Sequence, residues 1–178
     1  LMLVAYVLLA LGYSKFFRRM LLLDVLVLAA LYTLRLIAGG AAVDVAVTSR
    51  PLVFSMFFFL SLAFAKRLVE LDAAPGHSAR AYRPADRATM GAVGPGAGML
   101  AVLVMALYVS SGEIRAHYAE PDVLWLLCPL LLYWVLRTWF FALRGELHHD
   151  PVVFALRDRV SYAVGAAVLA VLFFAARG

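Results

Sequence analysis

The hydrophobic pattern of this chain is a series of long apolar runs separated by short polar segments. Five runs have about 20 residues each, the length that an α-helix needs to cross about 30 Å of hydrocarbon. A shorter run opens the sequence, and we interpret it as the end of a further span. The pattern predicts an all-α fold, a polytopic transmembrane helical bundle with six spans at residues 1–12, 21–43, 51–71, 91–109, 123–143 and 160–176.

Composition places the chain in a membrane. Hydrophobic residues make up 65% of its 178 residues and charged residues 15%, whereas soluble domains have about 45–50% and about 25%. A soluble chain of this length cannot bury so much apolar surface, so the lipid bilayer must be part of its solvent. The single cysteine, Cys128, lies in an apolar run and excludes an intrachain disulfide.

Basic residues are concentrated in alternate connections between the predicted spans. Eleven of the 16 Lys and Arg residues fall in 13–19, 66–88 and 143–159, whereas the opposite connections hold only Arg50, Arg115 and Arg177. The positive-inside rule assigns the basic side to the cytoplasm, which predicts a protein of the bacterial-type plasma (inner) membrane. The net charge of +5 is then explained by topology and anionic lipid, and we expect no nucleic-acid partner.

The cytoplasmic side also carries seven of the 11 acidic residues, which topology does not require. They are Asp24, Glu70, Asp72, Asp86, Glu146, Asp150 and Asp158. Because membrane orientation depends on Lys and Arg, these carboxylates indicate a second role for this side.

Several charges are candidates for that role. Arg35 lies in mid-span, where a charge costs roughly 2.5–3.5 kcal/mol, so it either pairs with a buried acid such as Asp24 or lines an anion-binding cavity. Lys66 and Glu70 are four residues apart and can pair on one helix face. Together with Arg67 they are either interface anchors or the floor of a phosphate site.

Residues 144–162 form a second polar group. Glu146, His148, His149 and Asp150 crowd one loop, which is either a solvated cap or a metal site. Their spacing does not suit zinc, whereas magnesium takes carboxylates together with substrate phosphates. Asp150-Pro151 predicts a helix N-cap followed by proline at the first helical position.

Four stretches, taken in order, resemble the UbiA prenyltransferase superfamily. They are YSKFFRRMLLLDVLVLAALYTLRLIAGG, FFFLSLAFAKRLVEL, LWLLCPLLLYWVLRTW and RGELHHDPVVFALRDRVS. Within it the chain looks most like the branch that contains decaprenyl-phosphate phosphoribosyltransferase. The resemblance implies a nine-helix bundle, of which residues 1–178 are the C-terminal part of one membrane-embedded domain. The first Asp-rich motif of the family is not among these residues, so we expect them to be inactive by themselves.

The family's second motif, Asp-x-x-x-Asp, is replaced here by Lys66-x-x-x-Glu70. A basic residue there suits the extra phosphate of phosphoribosyl diphosphate. The branch also has Tyr-Ser followed by a lysine, and Tyr13, Ser14 and Arg18 hold these places. The resemblance thus implies phosphate binding by Tyr13, Arg18, Lys66 and Arg67, and Mg²⁺ binding by Asp24, Glu70, Asp150 and Asp158.

The expected function is transfer of a phosphoribosyl group to a polyprenyl phosphate, in glycolipid or cell-envelope precursor synthesis. Magnesium and cationic side chains would stabilise the departing pyrophosphate. One alternative is a prenyltransferase that uses a prenyl diphosphate and an aromatic or other acceptor. Another is a transporter or lipid-binding membrane protein, in which the charges pair across spans without catalysis. The expected partners are the lipid substrate and the bilayer.

Overall fold

The described residues form six α-helices and two short 3-10 segments. The computed structural model describes residues 20–42, 48–73, 82–112, 114, 118–147 and 150–177. The α-helices are α1 (Leu23–Ala42), α2 (Ser49–Ala73), α3 (Arg87–Val109), α4 (Leu127–Leu143), α5 (Pro151–Ala155) and α6 (Arg159–Arg177). The 3-10 segments Pro84–Asp86 and Pro121–Leu126 lead directly into α3 and α4.

Five helical segments are long and apolar enough to cross a membrane. They have 19 to 26 residues and lie where the last five spans are predicted. The all-α prediction is confirmed for the described residues, and the first predicted span, 1–12, lies outside them. Many large apolar side chains on these helices are exposed, including Leu107, Leu169 and Phe174. A bilayer would cover such surfaces, which fits an integral membrane protein.

Helix α2 lies at the centre of the bundle. It packs most extensively against α3 and also contacts α1, α4 and α5, while α6 packs against α4 and the 3-10 segment before it. The Arg87 guanidinium, at the start of α3, bonds Asp72 near the end of α2 and the carbonyl oxygen of Leu143 at the end of α4. The described parts of segments 66–88 and 143–159 therefore meet at one end of the bundle, hereafter the polar end.

The packing of α2, α3 and α4 depends on Trp139. Its side chain is 2% exposed, and its indole N–H donates to the Ser61 hydroxyl at 2.9 Å. The Trp139 ring occupies the space beside Gly94, where an added Cβ would lie 2.0 Å from a ring carbon. Gly94 thus allows α3 to approach α4 closely, as small residues do at helix interfaces in membranes.

We expect Gly94→Ala to destabilise the bundle by about 1–3 kcal/mol, because the new methyl group overlaps Trp139 and the core must shift. The measurement is unfolding of the purified protein in mild detergent by SDS titration. Gly96→Ala is the matched control, since a Cβ at Gly96 meets no atom within 4 Å. Equal stability of the two variants would contradict a close contact between α3 and α4 at Gly94 and Trp139.

Candidate functional site

A buried guanidinium joins two carboxylates at the polar end. Arg67 and Asp24 are 2% and 1% exposed. The Arg67 Nε and Nη2 atoms donate to the two oxygens of Asp24, with 2.9 Å between Nη2 and Oδ1, and Nη1 donates to Glu70 at 2.6 Å. This is the two-pronged geometry that makes arginine suited to carboxylates. Asp24 lies in the first turn of α1, where the helix dipole favours negative charge.

A second ion pair lies closer to the surface. The Lys66 Nζ atom is 2.5 Å from Asp150 Oδ2, and the two side chains are 32% and 25% exposed. The other Asp150 oxygen accepts the Val152 amide at 2.9 Å, which confirms the predicted N-cap at the start of α5. Lys66 is therefore a cation that an incoming anion can reach, provided that Asp150 gives way.

Two pairings considered from sequence are replaced in the structure. Glu70 bonds Arg67, three residues away, while Lys66 bonds Asp150. Arg35 lies about 16 Å along the α1 axis from Asp24, too far for it to be that acid's main partner. Its side chain is on an exposed face of α1, with the guanidinium 5.1 Å from the centre of the Tyr32 ring. The cavity role of Arg35 stays a prediction.

Asp158, predicted as a metal ligand, joins α4 to α6. It accepts two hydrogen bonds from Arg137, at 2.7 and 3.0 Å, and two from the Ser161 amide and hydroxyl. Burial alone would raise the pKa of the Asp158 carboxyl, but these hydrogen bonds outweigh burial and hold the pKa below its ordinary value. In this arrangement Asp158 supplies the partner that Arg137 needs in its apolar helix.

The described residues contain no group of three or more His, Cys, Asp or Glu side chains arranged to hold a metal ion. Asp24 and Glu70 do converge on one guanidinium, and magnesium commonly binds one or two carboxylates together with substrate phosphates. Arg67 already bonds both carboxylates and Asp24 is 1% exposed, so Mg²⁺ binding by this pair stays a prediction. Tyr13, Arg18, His148 and His149 lie outside the described residues.

One buried polar side chain at this end was not found from sequence. Tyr82 precedes the 3-10 segment before α3, is 6% exposed, and its hydroxyl has no hydrogen-bond partner among the described residues. Burial and the charge of Asp24 raise the pKa of the Tyr82 hydroxyl. The sequence carries no signal for this position, because Tyr82 lies in the charged connection 66–88 and belongs to no periodic apolar pattern.

The aromatic side chains of α4 serve mainly in packing. Trp134 donates its indole N–H to the Ser161 hydroxyl at 2.9 Å, as Trp139 does to Ser61. Tyr133 and Phe140 are 52% and 60% exposed on the outside of the bundle. Trp134 and Trp139 therefore join α4 to α6 and α2.

Two curated proteins are similar to this chain over most of its length. Protein y4nM of Sinorhizobium fredii, named as uncharacterized, is 36% identical over 170 residues, which are 92% of this chain and 33% of that protein. The nodulation protein NoeC of Azorhizobium caulinodans is 34% identical over 159 residues, 86% of this chain and 52% of that protein. The chain thus spans about a third and about half of the length of these relatives. It matches no known protein-family profile.

Replacing Arg67 alone should be strongly destabilising. Arg67→Met leaves the buried Asp24 carboxylate without its main partner, which costs about 3–5 kcal/mol. The double variant Asp24→Leu/Arg67→Met removes both charges and should recover much of that loss. Arg87→Met is the control, since its pair with Asp72 is 41% and 31% exposed and is expected to contribute about 0–1 kcal/mol. SDS titration in detergent measures the wild type, these three variants and the single variant Asp24→Leu. A loss in the double variant equal to the sum of the two single losses would refute the coupling.

The Asp158 cluster predicts a dependence of stability on acid pH. Because the folded-state pKa is lowered, the stabilisation is present above the unfolded-state pKa of about 4 and is lost as pH falls through the folded value. Asp158→Asn should therefore be less stable at neutral pH and lose less stability on acidification. Thermal unfolding in detergent between pH 7 and pH 2 measures this, with the exposed Glu146→Gln as control. Identical pH profiles for Asp158→Asn and the wild type would contradict it.

Proposed function

We propose that the chain is part of a membrane transferase of the UbiA type, which moves a phosphoribosyl group from phosphoribosyl diphosphate to a polyprenyl phosphate. One observation carries the proposal: charged side chains from the start of α1, the end of α2 and the start of α5 meet at one end of an apolar bundle. Ionisable groups within membrane helices are costly and usually functional. A lipid phosphate, with its chain in hydrocarbon and its head at the interface, would reach this end.

The proposed reaction divides the work among these side chains. An oxygen of the lipid phosphate attacks the anomeric carbon of the donor, and the bond from that carbon to pyrophosphate breaks. Lys66 is the accessible cation for a phosphate group, whereas Arg67 holds Asp24 and Glu70 in place. Magnesium, when bound, would neutralise charge on the departing pyrophosphate. The cytoplasmic orientation of the polar end is part of this proposal and rests on the charge pattern.

The names of the two relatives specify no reaction, so the proposed chemistry rests on the arrangement of the side chains alone. The name of NoeC associates that protein with nodulation and names no reaction. Because this chain spans only part of either relative, the activity of the whole protein, including its donor and acceptor, is a proposal.

A second candidate is a non-catalytic lipid-binding or transport protein. It is favoured by the finding that Lys66 and Arg67 are both ion-paired with carboxylates of the same chain. Charges that serve only to join helices would show such pairing.

The test uses the full-length protein with radiolabelled phosphoribosyl diphosphate, a polyprenyl phosphate and Mg²⁺. We expect a labelled lipid product, and a roughly 10- to 100-fold lower rate for Lys66→Met, which removes a cation that acts on the leaving group. The exposed Arg144→Met is the control and should keep the wild-type rate.

A second assay replaces the donor with a prenyl diphosphate and the acceptor with an aromatic compound. It distinguishes prenyl transfer from phosphoribosyl transfer. Product only in that assay would support prenyl transfer. A folded protein that forms neither product would support the non-catalytic candidate.

A further inference from the structure

The short helix α5 is attached to the bundle by one of its sides. Asp150, directly before its first residue, pairs with Lys66 of α2. Pro151 is buried, and the ring of Phe154 lies against that of Phe141 in α4, with 5.7 Å between the ring centres. These contacts fix the orientation of α5 at the polar end.

The opposite side of α5 is apolar and exposed. Val152, Val153 and Leu156 are 37%, 38% and 63% exposed. Positions i, i+1 and i+4 share one face of a helix, so these three side chains form a single patch. Helix α5 has five residues, far too few to cross a bilayer. The patch therefore does not belong to a membrane-spanning helix.

Tyr162 relates this patch to the end of a neighbouring span. It lies in the first turn of α6, is 59% exposed, and its hydroxyl donates to the Leu156 carbonyl oxygen at 2.6 Å. Helix α6 is long and apolar enough to cross a membrane, and tyrosine is enriched where spans leave the hydrocarbon. Leu156 thus lies at the level expected for lipid headgroups.

Two exposed cations follow the patch directly. Arg157 and Arg159 form no ion pair with any residue that the structure describes, whereas Lys66, Arg67 and Arg87 at the same end are all paired. Arg159 is also the first residue of α6, where the helix dipole disfavours a positive charge. Contacts within the described part of the chain therefore do not account for these two arginines.

We propose that residues 151–162, hereafter the α5–α6 corner, bind an anionic phospholipid of the cytoplasmic leaflet. Val152, Val153 and Leu156 contact its acyl chains, and Arg157 and Arg159 contact its headgroup phosphate. Interfacial segments bind lipid in this way, through burial of apolar surface together with attraction to anionic headgroups. The corner is a surface beside the Lys66 site, and its lipid binding does not depend on phosphoribosyl transfer.

The combination of apolar and basic side chains favours a lipid over an acidic protein as the partner. The bilayer that surrounds α6 supplies acyl chains beside Tyr162 and anionic headgroups at the level of Arg157 and Arg159. An acidic protein segment would offer charge to the arginines, but it would have to displace lipid from the apolar patch.

The test measures binding of dioctanoyl phosphatidylglycerol to the full-length protein in detergent by calorimetry, with dioctanoyl phosphatidylcholine as the neutral comparison. Arg157→Gln/Arg159→Gln should weaken phosphatidylglycerol binding roughly 30-fold and change phosphatidylcholine binding by less than about 3-fold. Its unfolding temperature without lipid should equal that of the wild type, because both side chains are exposed and have no ion-pair partner among the described residues.

Arg83→Gln/Arg144→Gln is the matched control. It also removes two exposed arginines of the polar end that form no ion pair within the described residues, and it should bind phosphatidylglycerol as the wild type does. An equal loss in the two double variants would show a general attraction to positive charge and would overturn the proposal.

Leu156→Ser tests the apolar part of the corner while both arginines remain. It should weaken the binding of both lipids, and its unfolding temperature without lipid should be unchanged because Leu156 is exposed.

Three further results would overturn the proposal. Unchanged phosphatidylglycerol binding by Arg157→Gln/Arg159→Gln would place the lipid elsewhere. A lower unfolding temperature of lipid-free Leu156→Ser would show that another part of the full-length protein covers the corner. Effective competition by inorganic phosphate would indicate a site for a soluble anion.

Discussion

The polar end depends on one buried guanidinium. Arg67 bonds both oxygens of Asp24 and also Glu70, and so fixes the start of α1 against the end of α2. In a low-dielectric interior such a pair is retained only when nearly all of its hydrogen-bonding groups are satisfied. The other charges of this end, including Lys66, are arranged around that fixed point. Removal of either Asp24 or Arg67 would leave the other buried charge without the partner that bonds it through two atoms.

The apolar core beside this charged cluster is stabilised by the close packing of complementary side chains. Trp139 fits against Gly94 and reaches Ser61, so α2, α3 and α4 meet at one side chain. Lipid tails are as apolar as the helix surfaces, and close packing must therefore replace the hydrophobic effect as the source of helix association. A rigid core keeps the charged side chains above it at fixed distances, which a site for a small charged group requires.

The sequence predicted the features that depend on local pattern. Five described helices that are long and apolar enough to cross a membrane follow from the lengths of their apolar runs, and the cap at Asp150 follows from the proline after it. The ion-pair partners were not predictable, because they are far apart in sequence. Asp24 and Arg67 are separated by 43 residues, and Arg137 and Asp158 by 21. Arg137 lies within an apolar helix, where a charge usually has a partner, but its spacing in the sequence does not identify Asp158. Tyr82 carries no such signal, since its burial arises only from the assembled helices.

The pair between Lys66 and Asp150 gives the protein an internal competitor for anions. Any anion that binds Lys66 has to displace the Asp150 carboxylate, so part of its binding free energy is offset by the broken pair. When the anion leaves, the carboxylate can form the pair with Lys66 again. Asp150 also caps α5, so an anion bound at Lys66 would alter the contacts at the start of that short helix. The same contact therefore lowers the affinity of Lys66 for an anion.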